Sequence, residues 1–296
     1  MNFKNPSRSF VTKWAWASML SNALLVLTGG LVRLTGSGLG CPTWPRCTED
    51  SFTPHEALGV HGIIEFGNRL LTYVLAAIAV ATLIAVWRWA ESTIREKRIA
   101  LLLLVGIPLQ GVVGGITVLT DLNPWVVAIH LILSLILISA ATVLIALVTP
   151  WQMSSVPPIA RKLMWLVAIS SSAVIYVGTV VTGSGPHAGD AAVPRNGLDP
   201  ARISQLHSVN VYLFIGLAIG AFVALRVLDH HAAKAAKFLI GVIVLQGFIG
   251  YAQYILGLPI YLVAAHLVGA TLTVFATTWL LIATTRNPTE EAQTIA

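Results

Sequence analysis

Charge is scarce in this chain. Only 10% of its 296 residues are Asp, Glu, Lys or Arg, 56% are hydrophobic, and the mean hydropathy is +0.81. Soluble domains carry about 25% charged residues, so a water-exposed globular surface is excluded and an integral membrane protein is the reading left. Cysteine is almost absent: Cys41 and Cys47, in "CPTWPRC", are the only two. Two cysteines cannot staple a small secreted scaffold, and no neighbouring residues complete the four ligands of a zinc site. A small-residue cleavage signature is missing as well. The first apolar run leads instead into "GGLVRLTGSGLG", so a retained helix is expected rather than a signal peptide.

What is present is apolar length. Runs able to cross about 30 Å of hydrocarbon occur at 14–32, 61–87, 99–119, 125–148, 163–181, 206–225, 238–258 and 260–283. The expected fold is therefore all-α, with eight transmembrane helices. An even number of spans puts both termini on one side. Placing them in the cytoplasm puts 13 of the 18 Lys and Arg inside, Arg286 among them, and leaves five outside, as the excess of basic residues in cytoplasmic loops requires. The net charge of +6 thus reports topology and gives no cause to invoke nucleic acid. Cys41 and Cys47 then fall in the first outer loop, where oxidising conditions favour a disulfide.

Laying residues 99–148 over 235–284 at a shift of 136 aligns "QGVVGGITV" (110–118) with "QGFIGYAQY" (246–254) and His130 with His266. Upstream, "LTGSG" (34–38) returns as "VTGSG" (181–185) at a shift of 147. These are two copies of a four-span unit. An even number of spans per copy implies that the copies are parallel repeats about an axis along the membrane normal: a half over 1–150 and a half over 151–296, each a four-helix bundle, N-in and C-in. Gly111, Gly114 and Gly115, matched by Gly247 and Gly250, mark close helix approach or space for a flat ligand. The outer segments 34–60 and 182–205 are long and rich in Gly and Pro, as lids over a site would be.

Histidines carry the chemistry. His230 and His231 fall in an inner loop and His55 and His187 in outer loops. His61, His130, His207 and His266 stand near the starts of the second, fourth, sixth and eighth runs. Haem gripped in a four-helix bundle needs imidazoles at one depth on facing helices, among small and apolar neighbours. His207 and His266 meet that requirement, whereas zinc or copper would need three or four convergent donors. Aligning "EFGNRLLTY" (65–73) with "QLHSVNVY" (205–212) through Tyr73 and Tyr212 sets Asn68 opposite His207. If His130 holds one face of a haem in the first half, Asn68 leaves the other face open to oxygen or peroxide. The rival alignment pairs His61 with His207 and makes both sites six-coordinate.

His61, Glu65, Asn68 and Arg69 share one broad helix face at 100° per residue. Glu65 has two readings: an ion pair with Arg69 that seats the helix end, or a carboxylate facing the pocket that accepts a proton or stabilises positive charge. Arg33, Arg69 and Arg202 lie near the outer boundary, the level at which anionic haem propionates would meet them.

The stretches "GGLVRLTGSGLGCPTWPRC", "IEFGNRLLT", "QGVVGGITV" and "VTGSGPHAGD", with the helix-start histidines, resemble haem A synthases, the bacterial relatives of the mitochondrial Cox15 proteins. The resemblance runs over about 10–284. It implies a membrane oxidoreductase that converts the C8 methyl of haem O to the formyl of haem A by successive hydroxylations, supplying cytochrome oxidase. It further implies substrate haem in the N-terminal half and haem b in the C-terminal half. By that resemblance Glu65 matches the functional glutamate, His130 the second histidine of the first half, His207 and His266 the haem b ligands, and Cys41 with Cys47 the first-loop pair. Two departures stand out: Asn68 occupies a position where many members have histidine, and 182–205 lacks a second cysteine pair. Expected partners are haem O synthase, cytochrome oxidase assembly factors, an unidentified electron donor, lipid and, for a homo-oligomer, a further copy of the chain. The expected place is a bacterial plasma membrane, with the haem sites towards its outer face.

A two-haem b-type electron-transfer protein needs the same histidines but no acid beside an open iron. A haem transporter fits the parallel repeat and the outer pocket but leaves the unlike ligands of the two halves unexplained.

Overall fold

The computed structural model describes residues 4–285, which include no strand. Arg286, assigned above to the inner side, lies outside them. Eight helices are long and apolar enough to cross a membrane: α1 (Arg8–Leu34), α2 (Gly59–Arg88), α3 (Ile94–Leu119), α4 (Pro124–Val148), α5 (Pro158–Ser184), α6 (Pro200–Val227), α7 (Ala233–Ile255) and α8 (Ile260–Ala283). A 3₁₀ turn, Glu56–Leu58, precedes α2.

Four of the eight helix starts carry a side-chain cap. Ser7 caps α1, and Thr93 with Glu96 forms a reciprocal capping box on α3, satisfying backbone donors left over in the first turn. Asn123 and Asp199 cap α4 and α6, each followed by proline at the first helical position, where its fixed φ suits a helix and its missing N–H costs nothing. The α7 run, expected to reach 258, stops at Ile255, because Gly257 and Leu258 both take positive φ. The turn there repeats the one between α3 and α4. Leu122 and Leu258 have φ of 53° and 62°, and their amides donate to the carbonyls of Thr117 (2.8 Å) and Gln253 (2.7 Å).

Helix contacts close two rings. Within the first half α1 meets α2, α2 meets α3, α3 meets α4, and α4 returns to α1. The same order, α5–α6–α7–α8–α5, closes the second, and α1, α4, α5 and α8 join the two. In each ring the even-numbered helices, α2 and α4 or α6 and α8, stand diagonally without close backbone approach. The largest apolar clusters fill one end of each ring: Val11, Ala15, Val86, Leu103 and Leu144 in the first, Met164, Ala221, Leu225, Leu239 and Leu280 in the second. His61, His130, His207 and His266 lie towards the other end, near the starts of α2, α4, α6 and α8.

At the densely packed end, His230 and His231 stack at 4.4 Å and bond the Ser154 and Gln152 carbonyls of the inter-half linker. Burial first, and His231 second, hold His230 below the usual imidazole pKa.

Candidate functional site

Four positions recur, one on each even-numbered helix, and each lies against a glycine of the helix before it. A Cβ placed on Gly114 of α3 would sit 3.4 Å from His130 Cε1. On Gly178 of α5 it would sit 3.2 Å from His207 Cε1, and on Gly250 of α7 3.2 Å from His266 Cε1. On Gly29 of α1 it would lie 3.8 Å from Asn68 Nδ2. Asn68, not His61, thus occupies the fourth equivalent place. His61 belongs to the first turn of α2, is exposed, and shares a 2.8 Å hydrogen bond with Ser37; the structure does not bring it to the other three histidines.

The polar atoms at these positions lack partners. Nδ1 of His130, His207 and His266 and Oδ1 of Asn68 are buried without a hydrogen bond. The Val174 carbonyl faces His207 without closing a bond of ordinary geometry. Protein interiors seldom leave buried polar atoms unpaired, and of the ten such side-chain atoms among the described residues four stand at these recurring positions. The His207 and His266 rings, from diagonal helices, stand 6.5 Å apart by centroid with planes at 70°. Two bonds of about 2.0–2.1 Å from ring nitrogens to one metal atom are compatible with rings at that separation. Among the described residues no group of three or more His, Cys, Asp or Glu converges as a bare metal site. Two facing imidazoles with nothing further to complete a tetrahedron suit a metal whose remaining ligands come with it, as in a porphyrin. The donor set therefore fits haem.

Glu65 is buried, 5% exposed, and both carboxylate oxygens are engaged. Oε2 accepts from the Cys41 amide at 2.6 Å, and Oε1 accepts from Arg69 Nε at 3.1 Å and from its Nη2. Arg69 donates further to the carbonyls of Cys41 (3.0 Å), Thr43 (3.1 Å) and Arg46 (3.1 Å). Cys41 and Cys47 are joined in a disulfide with Cα atoms 4.4 Å apart and are fully buried. The seven-residue ring they close rests on α2 through Glu65 and Arg69, while Trp44 at its crest lies flat on Gly115 of α3, where any Cβ would overlap the indole. The ring therefore straps α2 to α3 beside Asn68 and His130.

Of the arginines set beside propionates above, Arg69 is committed to this strap. Arg202 is exposed and pairs with Asp199 at 3.5 Å. Arg33 donates to the Thr182 carbonyl on α5 at 2.5 Å, across the two halves, and keeps a buried Nε without a partner.

Two residues that read only as repeat markers have a physical task. Gln110 Nε2 donates to the His130 carbonyl at 3.1 Å, and Gln246 Nε2 donates to the His266 carbonyl at 2.9 Å. The spacing from glutamine to histidine, twenty residues in both copies, was visible; that it measures a bond between helices was not.

Comparison with known proteins adds the family. Residues 12–197 match the family model COX15-CtaA, described as cytochrome oxidase assembly protein. The matched segment takes in Glu65, Asn68 and His130. His207 and His266 lie beyond it, so their case rests on the geometry above. A protein named heme A synthase from Lysinibacillus sphaericus strain C3-41 is 35% identical over 181 residues, 57% of each chain. One so named from Staphylococcus epidermidis strain ATCC 35984 is 26% identical over 237 residues, 74% of this chain and 75% of that one. A third, from Geobacillus kaustophilus strain HTA426, is 32% identical over 183 residues, 57% of this chain and 55% of its own. The similarity to the first and third thus spans little more than half of those relatives' length. A model match over well over half of the chain is nonetheless decisive: this chain belongs to the COX15-CtaA family of cytochrome oxidase assembly proteins.

Proposed function

We propose that this protein is a haem A synthase, a membrane oxidoreductase that takes the C8 methyl of haem O to the formyl of haem A for cytochrome oxidase. The observation that carries the reading is the set of recurring positions on α2, α4, α6 and α8: three are half-buried histidines whose buried Nδ1 lacks a partner, two of those face each other, and the fourth is an asparagine. The names borne by its relatives agree with it. We read residues 1–150 and 151–296 as parallel copies in a bacterial plasma membrane, termini inside and long loops outside.

In this reading His207 and His266 hold haem b from both sides in the second half, and His130 holds the substrate haem from one side in the first. Haem held by His207 and His266 would supply electron transfer, and haem held by His130 alone would supply oxygen or peroxide activation. The protein's own share is position and exclusion. Gly114, Gly178 and Gly250 keep the helix surfaces flat where each imidazole lies. Asn68 presents a short amide where the second half presents a ring. The Cys41–Cys47 ring, held by Glu65 and Arg69 and docked through Trp44, covers the first half from the loop side and limits water there. Arg33 leaves a cationic N–H between the halves, suited to a haem propionate.

Pigments extracted from the purified protein, made with a haem O source, test the function. Haem A or its hydroxylated precursor, beside haem b, is the expected result. Haem b alone would show an electron carrier, and unmodified haems in varying proportion a transporter. Asn68→His tests the open face. It is expected to add a second low-spin bis-imidazole signal to that of haem b; an unchanged low-spin signal in protein loaded with substrate haem counts against His130 and Asn68 as the facing pair.

A further inference from the structure

The two glutamine ties are alike in position and unlike in strength. In the first half Gln110 Nε2 also donates to Ser134 Oγ, and Ser134 Oγ donates to the same His130 carbonyl at 3.0 Å. Three groups thus knot α3 to α4 at the histidine. In the second half Ala270 stands where the repeat would place that serine. Gln246 to the His266 carbonyl is then the one side-chain hydrogen bond between α7 and α8 among the described residues.

The surroundings of the two ties differ as well. Leu137 of α4 seats against Gly106 of α3, leaving no room there for a Cβ. At the corresponding level the outer face of α7 and α8 carries an open apolar groove of about 310 Å³, walled by Val242, Leu245, Ile249, Val268, Gly269 and Gln246 itself. Gly269, in the place of Leu133, is where the Gln246 amide lies, and a Cβ there would overlap it. In a membrane, helix pairs are held by close packing and hydrogen bonds, because lipid is as apolar as the side chains. This bond is the side-chain hydrogen bond from α7 that reaches the backbone of α8 at His266 itself.

We infer that Gln246 is the positioning residue of the second half, fixing the axial reach of His266 towards the iron shared with His207. The inference rests on the haem reading given above. Loss of one net hydrogen bond corresponds to about a fivefold change in an equilibrium or release rate. Gln246→Met, which keeps the side-chain length and removes the donor, is expected to release haem b to apomyoglobin about fivefold faster and to convert part of its low-spin spectrum to high-spin. Gln110→Met should leave both unchanged. Ala270→Ser offers Gln246 the second acceptor that Gln110 has. It should slow haem b release when Gln246 is present and have no effect in Gln246→Met.

A low-spin spectrum and release rate unmoved by Gln246→Met overturn the assignment, as does Ala270→Ser acting equally in both backgrounds. If Gln246→Met fails to fold, Ala270→Ser alone decides: slower release supports the tie, and an unchanged rate overturns it. Wild-type protein prepared alongside keeps the two readings separate, because complete absence of haem from it overturns the functional reading and not merely the role of Gln246.

Discussion

His266→Ala is expected to leave the second half without its haem b, and His207→Ala to do the same. The two rings face each other 6.5 Å apart from diagonal helices, and among the described residues no third His, Cys, Asp or Glu converges with them to take over an axial position. Even groups that only orient a metal ligand typically cost about 10–100-fold in affinity when removed. Loss of the ligand itself therefore falls beyond that range, and purified protein should carry haem b far below one per chain. Gel filtration and circular dichroism are expected to stay unchanged, because the apolar cluster of Met164, Ala221, Leu225 and Leu239 lies at the opposite end of the ring. His130→Ala supplies the contrast: it should spare the haem b spectrum and abolish binding of added haem O. A full low-spin haem b spectrum in either second-half variant would remove the pairing from which the function is argued.

How much of this was legible in the sequence depends on whether the decisive contact is local. The spans were, because hydropathy is a property of consecutive residues. So was the repeat, since Gln110 and His130 recur at Gln246 and His266 with the same spacing. Depth was legible only where the helix start is written nearby: capped Pro124 and Pro200 put His130 seventh in α4 and His207 eighth in α6. The start of α2 is set instead by a 3₁₀ turn and a glycine at φ 55°. His61 therefore lands in its first turn, bonded to Ser37, while Asn68, ten residues in, reaches the glycine of the preceding helix. The Glu65–Arg69 pair was legible from its i,i+4 spacing. Its grip on Cys41, Thr43 and Arg46 was not, since a loop folding back over twenty or more residues leaves no periodic trace.

That grip makes Glu65→Ala the second large effect. Removing the carboxylate strips the Cys41 amide of its acceptor and leaves the Arg69 guanidinium, one-fifth exposed, without its counter-charge. Breaking a buried pair from one side costs about 3–5 kcal/mol, enough to release a strap whose other anchorage is Trp44 on Gly115. The expected result is loss of haem A formation with haem b retained, together with cysteines that become open to mild reductant and alkylation, since both are fully buried in the intact strap. Glu65→Gln separates the two tasks a carboxylate can have here. Its one amide oxygen can replace either Oε2 towards the Cys41 amide or Oε1 towards Arg69, not both, so the strap should stay closed more firmly than in Glu65→Ala and alkylation should be slower than in that variant. Substantial haem A formation by Glu65→Gln would assign the residue to holding the strap. A closed strap with no haem A would assign it to accepting a proton or stabilising developing positive charge, and the strap would then be the means by which that carboxylate is kept in place.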